Sequence, residues 1–343
     1  MIISMENEKI LKKTSQKRNF YTLKDGANVY FYALLFPLAI GLILGYITIA
    51  IAKGTGFKCA EDANVLNELM NAGYFGVTLL FTMLTQIVFV VTYFCYHKAN
   101  RIKFSASGVS FKKANIWTAL LCALAGIMFC FGFIWLIEGC FGKLFDVLGI
   151  SSSSVPFPLD NVGWLFVNLL LLGVVPAIVE ELLFRGVIFK GLRNYYSAVA
   201  SIILCGVLFA LIHQNIMQFV YPFVLGCILS FVMEKTGNLL YPILIHMFNN
   251  FTTIILSFLM NIGVLEITFN VTWWGCICAV LVAAATVAIL WLIYRFYLKK
   301  QEKIEEKPEG ELVQSPPAMA GKIPVSLITS VLIAIVIIVI NAL

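Results

Sequence analysis

The sequence predicts an all-α protein, a polytopic transmembrane helix bundle of about eight core spans. Three observations lead there. Of 343 residues, 61% are hydrophobic and only 12% charged, against about 45–50% and about 25% in a soluble domain; mean hydropathy is +0.93. The apolar residues collect in runs close to the roughly 20 residues that cross about 30 Å of hydrocarbon. The basic residues collect in alternate loops between those runs. A water-soluble body of this size has too few charges to cover so much apolar surface. A nucleic-acid-binding domain, which spreads basic residues over one face, is excluded on the same ground, as are a disordered chain and a secreted disulfide scaffold.

Residues 1–28 form a polar, basic segment with Lys9, Lys12, Lys13, Lys17, Arg18 and Lys24. The apolar run 29–52 is too long for the core of a cleaved signal peptide and reads as the first span. The next spans are expected at 71–95, 115–137 and from Val162 onward, the last with two adjacent carboxylates near its end. Lys190 and Arg193 mark its boundary. Further spans follow at 197–213, 217–233, 238–260 and 271–294, with the fifth and sixth on the short side. Residues 301–322 are charged and proline-rich, a flexible linker. Residues 323–343 are apolar and read as an additional transmembrane segment outside the main bundle, so the 301–343 tail is expected to be dispensable for activity. In domain terms, 29–160 supplies N-terminal spans and 161–300 the transmembrane core that carries the polar residues.

Charge placement sets the topology. The N-terminus, the 97–113 loop, the 190–196 and 234–237 turns and the 295–307 tail fall on one side if the spans alternate. The acidic or neutral loops 53–70, 138–161 and 261–270 fall on the other. The positive-inside rule makes the basic side cytoplasmic. The nine cysteines include Cys122, Cys130, Cys205, Cys227, Cys276 and Cys278 inside apolar runs, where free cysteine acts as a small hydrophobe. Cys59 and Cys140 share one side and are the one pair placed to bridge. His97 lies in a basic loop and is expected to be solvent-exposed.

Ionisable residues within hydrocarbon are costly and usually functional. Here they concentrate between 180 and 250. Glu181 and Arg185 are four apart, the spacing of a helical ion pair. Glu180 faces elsewhere, and it lies thirteen residues before Arg193, about 20 Å of helix. Phe209 and His213 are four apart in the next span, and His246 and Asn250 share a face two spans later. Counted from the basic boundaries, the four polar groups sit at roughly 15–25 Å depth, so one mid-membrane site is geometrically allowed. The chemistry suits hydrolysis. A buried carboxylate takes a proton from water, and histidine and asparagine donate to the oxyanion at a peptide carbonyl. Glu180, His213 and His246 are also a zinc-ligand set of the catalytic kind. Metal-bound water and glutamate-activated water both remain open.

In order and in membrane context, Glu180-Glu181-x-x-x-Arg185, Phe209-x-x-x-His213 and His246-x-x-x-Asn250 resemble the three motifs of the CAAX protease and bacteriocin-processing (CPBP, or Abi) family of intramembrane endopeptidases. The resemblance covers about residues 160–260. It implies that Glu180 activates water, that His213, His246 and Asn250 position that water and stabilise the oxyanion, and that Arg185 supports the acidic pair. It implies a peptide or membrane-protein substrate, with eukaryotic members acting on prenylated proteins. Members are commonly called metalloproteases, although the mechanism resembles that of a metal-independent glutamate protease. Short loops and the charge bias suit a bacterial plasma-membrane member. Two other readings stand beside it: a transporter or channel relaying protons or ions through the Glu/His cluster, and a non-catalytic membrane scaffold. The bilayer is an expected partner in all three; nucleic acid is not.

Overall fold

The computed structural model describes residues 17–54, 63–111, 114–137, 159–216, 218–266, 273–305 and 323–342. Within them the chain forms nine helices: α1 (Leu23–Gly54), α2 (Ala63–Ala99), α3 (Ile116–Ile137), α4 (Val162–Arg193), α5 (Ala198–Leu211), α6 (Val220–Thr236), α7 (Leu240–Asn261), α8 (Trp273–Glu305) and α9 (Val325–Ala342). Among the described residues, five helices carry a stretch long and apolar enough to cross a membrane, and α5, α8 and α9 carry shorter apolar stretches. The expected linker begins later than its composition suggested, because α8 runs on through the charged residues to Glu305. Cys59 and Cys140 lie outside the described residues; Cys122, Cys130 and Cys205 are buried free thiols.

Local chemistry sets the helix ends. Thr22 and Asp25 cap α1 reciprocally: Asp25 N–H donates to Thr22 Oγ1 at 3.2 Å and Thr22 N–H donates to Asp25 Oδ2 at 2.7 Å, a capping box closed by aspartate. Asn161 Oδ1 accepts from Trp164 N–H at the start of α4, and Ser197 Oγ accepts from Ala200 N–H at the start of α5. α6 stops where Gly237 takes φ +59° and its N–H returns to the Met233 carbonyl.

The basic segments meet at one end of the bundle. Arg18 pairs with Asp25, and Arg193 pairs with Glu234. Asn194 Nδ2 donates to the Tyr21 carbonyl, Lys190 Nζ to the Ala106 carbonyl and Asn238 Nδ2 to the Ser110 carbonyl. The Lys235 ammonium lies 5.0 Å from the Tyr294 ring centroid, which brings the end of α8 there too. Helices α1 to α8 therefore alternate in direction, as the charge pattern predicts.

His97 does not sit in solvent. It is 1% exposed, because two distant segments close over it. Its Nδ1 bonds the Tyr93 carbonyl, and a carbonyl only accepts, so Nδ1 carries the proton. Nε2 is left to accept from the Tyr21 hydroxyl at 2.7 Å. Ser107 Oγ touches both Tyr21 and Tyr93 hydroxyls. This buried network ties the chain before α1 to the end of α2.

α9 also departs from expectation. It packs on α1 and α5. Ala334 and Ile338 are buried against Leu34 and Leu211, with Ile212, Ile216 and Phe219 alongside. Ser326 Oγ donates to Asn28 Oδ1 at 2.9 Å. α4 is the central helix: Leu183, Phe184, Val187 and Ile188 are buried in a cluster with α1, α2 and α5.

Candidate active site

α4 is not uniform. Two π-turns, Leu169–Val174 and Phe184–Ile188, flank a regular α segment, Val175–Leu183, that carries both glutamates. A π-turn holds one extra residue and shifts the facing of everything beyond it, and such turns recur at functional sites. Pro176 contributes to the first irregularity. It has no N–H to offer the Leu172 carbonyl four residues back, and Asn250 Nδ2 donates to that carbonyl at 3.2 Å instead.

Glu181 and Arg185 are both fully buried. Arg185 Nη1 donates to Glu181 Oε1 at 2.8 Å, the i,i+4 pair the spacing predicts. Arg185 Nη2 donates to the Gly226 carbonyl on α6 at 2.9 Å. Its guanidinium lies 4.5 Å from the Phe209 ring centroid, a cation–π contact strengthened by removal from water. Two glycines permit this approach. A Cβ on Gly226 would fall 2.9 Å from Gly206 Cα and 3.2 Å from Phe209 Cβ.

The spacing of the motifs gave no sign of a second partner for Glu181. His246 Nδ1 donates to the same Oε1 at 2.9 Å, from α7. The shared carboxylate orients both cation and imidazole. Phe209 packs edge-on against His246 with centroids 5.7 Å apart. Phe209 therefore touches Arg185, His246 and His213 at once.

Glu180 is half-buried on a different face. Gln86 of α2 donates to its Oε1 at 3.4 Å. His213 lies within electrostatic range of both Glu180 and His246. α5 ends at Leu211, two residues before His213, and Gln214 follows in the left-handed region at φ +54°. The turn after α5, not a helix face, thus carries His213 and leaves it exposed. This accounts for the shortness of α5 and α6, 14 and 17 residues. Their connection stops at the level of the glutamates. Backbone that is neither helix nor strand is tolerated at such depth where it lines a cavity.

His213 Nδ1 bonds the Phe209 carbonyl at 2.8 Å. Both site imidazoles therefore carry their proton on Nδ1, donating to a group that only accepts, and both keep the Nε2 lone pair free in the neutral state. The structure thus brings Glu180, Glu181, Arg185, Phe209, His213 and His246 together, with Asn250 on the His246 helix. It adds Gln86, Asn249, Tyr221 and Gly226, which the motifs did not mark. Among the described residues, no group of three or more His, Cys, Asp or Glu side chains is arranged to hold a metal ion. Glu180, His213 and His246, the residues a zinc ion would use if one were present, form no such group.

Residues 162–252 match the family described as type II CAAX prenyl endopeptidase Rce1-like. The matched stretch begins with α4 and ends two residues past Asn250, so it contains all three motifs. No curated protein and no solved structure matches the chain with significance.

Proposed function

We propose that this membrane protein is an intramembrane endopeptidase that uses Glu180 to activate water, a reading supported by the match of residues 162–252 to the Rce1-like family. The observation that carries the reading is the division of labour between adjacent carboxylates. Glu181 is committed to Arg185 and His246, while Glu180 makes one long hydrogen bond and lies near His213.

In this reading a water molecule donates one hydrogen to the Glu180 carboxylate and shares the other between the Nε2 lone pairs of His213 and His246, which hold it. Glu180 takes one proton as the water oxygen adds to the scissile carbonyl carbon. The oxyanion then receives the second Nδ2 hydrogen of Asn250, the first being held by Leu172. Glu180 returns the proton to the leaving nitrogen as the C–N bond breaks. Glu181 sets the His246 tautomer, and Arg185 holds the Glu181 carboxylate in place. The substrate is a membrane-associated chain or peptide, and the basic end of the bundle faces the cytoplasm of a bacterial cell.

The test uses purified full-length protein in detergent with a fluorogenic peptide ending in a farnesylated Cys-aliphatic-aliphatic-X sequence, its unlipidated counterpart and a panel of single-span membrane proteins. Cleavage lost in Glu180→Gln supports the reading. No cleavage of any of them by the wild-type protein contradicts it. Repeating the assay with a chelator separates metal-bound from glutamate-activated water.

A further inference from the structure

A chain of a phenol and two amides runs from α6 to the site and ends on the Leu172 carbonyl. The Tyr221 hydroxyl donates to Asn249 Oδ1. Asn249 Nδ2 donates to Asn250 Oδ1 at 3.2 Å. Asn250 Nδ2 donates to the Leu172 carbonyl at 3.2 Å. Asn249 is 3% exposed, so it has little access to alternative partners in water.

The direction of every link is forced. The Leu172 carbonyl only accepts, so it takes Nδ2 of Asn250, whose Oδ1 then faces Asn249 Nδ2 and leaves Asn249 Oδ1 for the Tyr221 hydroxyl. The Asn250 Nδ2 hydrogens face away from Asn249, one on Leu172 and one for the site. A flipped Asn250 would set its carbonyl oxygen against the Leu172 carbonyl, two acceptors with no hydrogen between them. The Leu172 carbonyl can serve as the terminus because Pro176, its usual helical partner position, has no N–H. Tyr221 is itself held in place: it packs against Phe129 with ring centroids 5.0 Å apart, and the Cys130 thiol neighbours its hydroxyl.

We propose that Tyr221 is a positioning residue for the reaction: acting through Asn249, its hydroxyl holds the Asn250 amide in the orientation the Leu172 carbonyl selects, with N–H groups toward the reacting carbonyl. The proposal rests on the endopeptidase reading of the site. It explains why a tyrosine hydroxyl and two adjacent asparagines occupy an otherwise apolar contact between α6, α7 and α4.

The test compares wild type, Tyr221→Phe, Asn250→Ala and the double variant in the full-length protein. Tyr221→Phe should lower kcat for the farnesylated peptide by about 10–100-fold with KM little changed, the scale of a misplaced oxyanion donor. In the Asn250→Ala background the same substitution should have no further effect. A purely structural tyrosine would instead lower activity equally in both backgrounds, and that result overturns the proposal. A second readout does not depend on cleavage. In protein labelled with ¹⁵N-asparagine, the side-chain amide signals of both Asn249 and Asn250 should shift or broaden in Tyr221→Phe. An unchanged Asn250 signal overturns the relay even if the enzyme is active. An inactive wild type with a shifted Asn250 signal would remove the endopeptidase reading and leave the relay standing.

Discussion

The imidazole of His246 and the carboxylate of Glu181 meet across the α4–α7 contact, Nδ1 to Oε1 at 2.9 Å, both nearly or wholly out of solvent. The same oxygen takes the Arg185 guanidinium. One buried atom therefore joins two of the three motifs, and Phe209, from the remaining motif, packs over the junction. The expected consequences follow from that arrangement.

Glu181→Gln should be destabilising. It leaves the Arg185 charge buried without its carboxylate, and breaking a buried pair costs roughly 3–5 kcal/mol. It also replaces one acceptor oxygen with an NH2 donor, so His246 loses its anionic acceptor. Thermal unfolding in detergent should show a clear drop in Tm, with less folded protein in membranes. A wild-type Tm would mean that the pair is dispensable.

Gly226→Ala should loosen the same junction from the other side. Its Cβ would crowd Gly206 and Phe209, pushing α6 from α5 and drawing the Gly226 carbonyl from Arg185. Overpacking of this kind costs about 1–3 kcal/mol. Gly237→Ala, at a position with nothing near the added carbon, provides the comparison for backbone strain alone, since its φ is positive. A Gly226→Ala protein at least as stable as wild type would contradict the close-approach argument.

Truncation after Lys300 now carries a different expectation from the one its sequence suggests. Removing α9 uncovers Leu34 and Leu211 and the flank of the turn that follows α5. Activity per folded molecule and Tm should both fall. Full activity at unchanged Tm would return α9 to the role of a separate appendage.

Orientation is checked by labelling. In a chain stripped of its native cysteines, Ile10→Cys and Lys303→Cys should resist a membrane-impermeant thiol reagent on intact cells, whereas Ser152→Cys should react. Strong reaction at position 10 would invert the bundle.

Much of this fold is written in hydropathy. Nine apolar runs give nine helices among the described residues, and the alternation of basic loops gives their directions, because burial of charge in hydrocarbon is too costly for other arrangements. The Glu181–Arg185 pair was legible because it is local to one helix. The His246–Glu181 bond was not, because it depends on the rotational phase of two helices, and the π-turns on α4 reset that phase. His97 was misjudged from its basic neighbours Lys98, Arg101 and Lys103; Tyr21 and Ser107, which bury it, are distant or across a turn. Tyr221 and Asn249 gave no signal, since an aromatic in an apolar run and an asparagine beside a motif asparagine look like ordinary packing. α9 was read as separate because its linker is polar, but a linker's composition does not determine where the helix beyond it docks.

The most direct measurement is turnover per folded molecule for Glu180→Gln beside Glu181→Gln, with Tm recorded for both. The account expects Glu180→Gln to keep the wild-type Tm and lose about 10²–10⁴-fold in turnover, and Glu181→Gln to lose stability first. A Glu180→Gln protein that cleaves at the wild-type rate would contradict the assignment of Glu180 as the base.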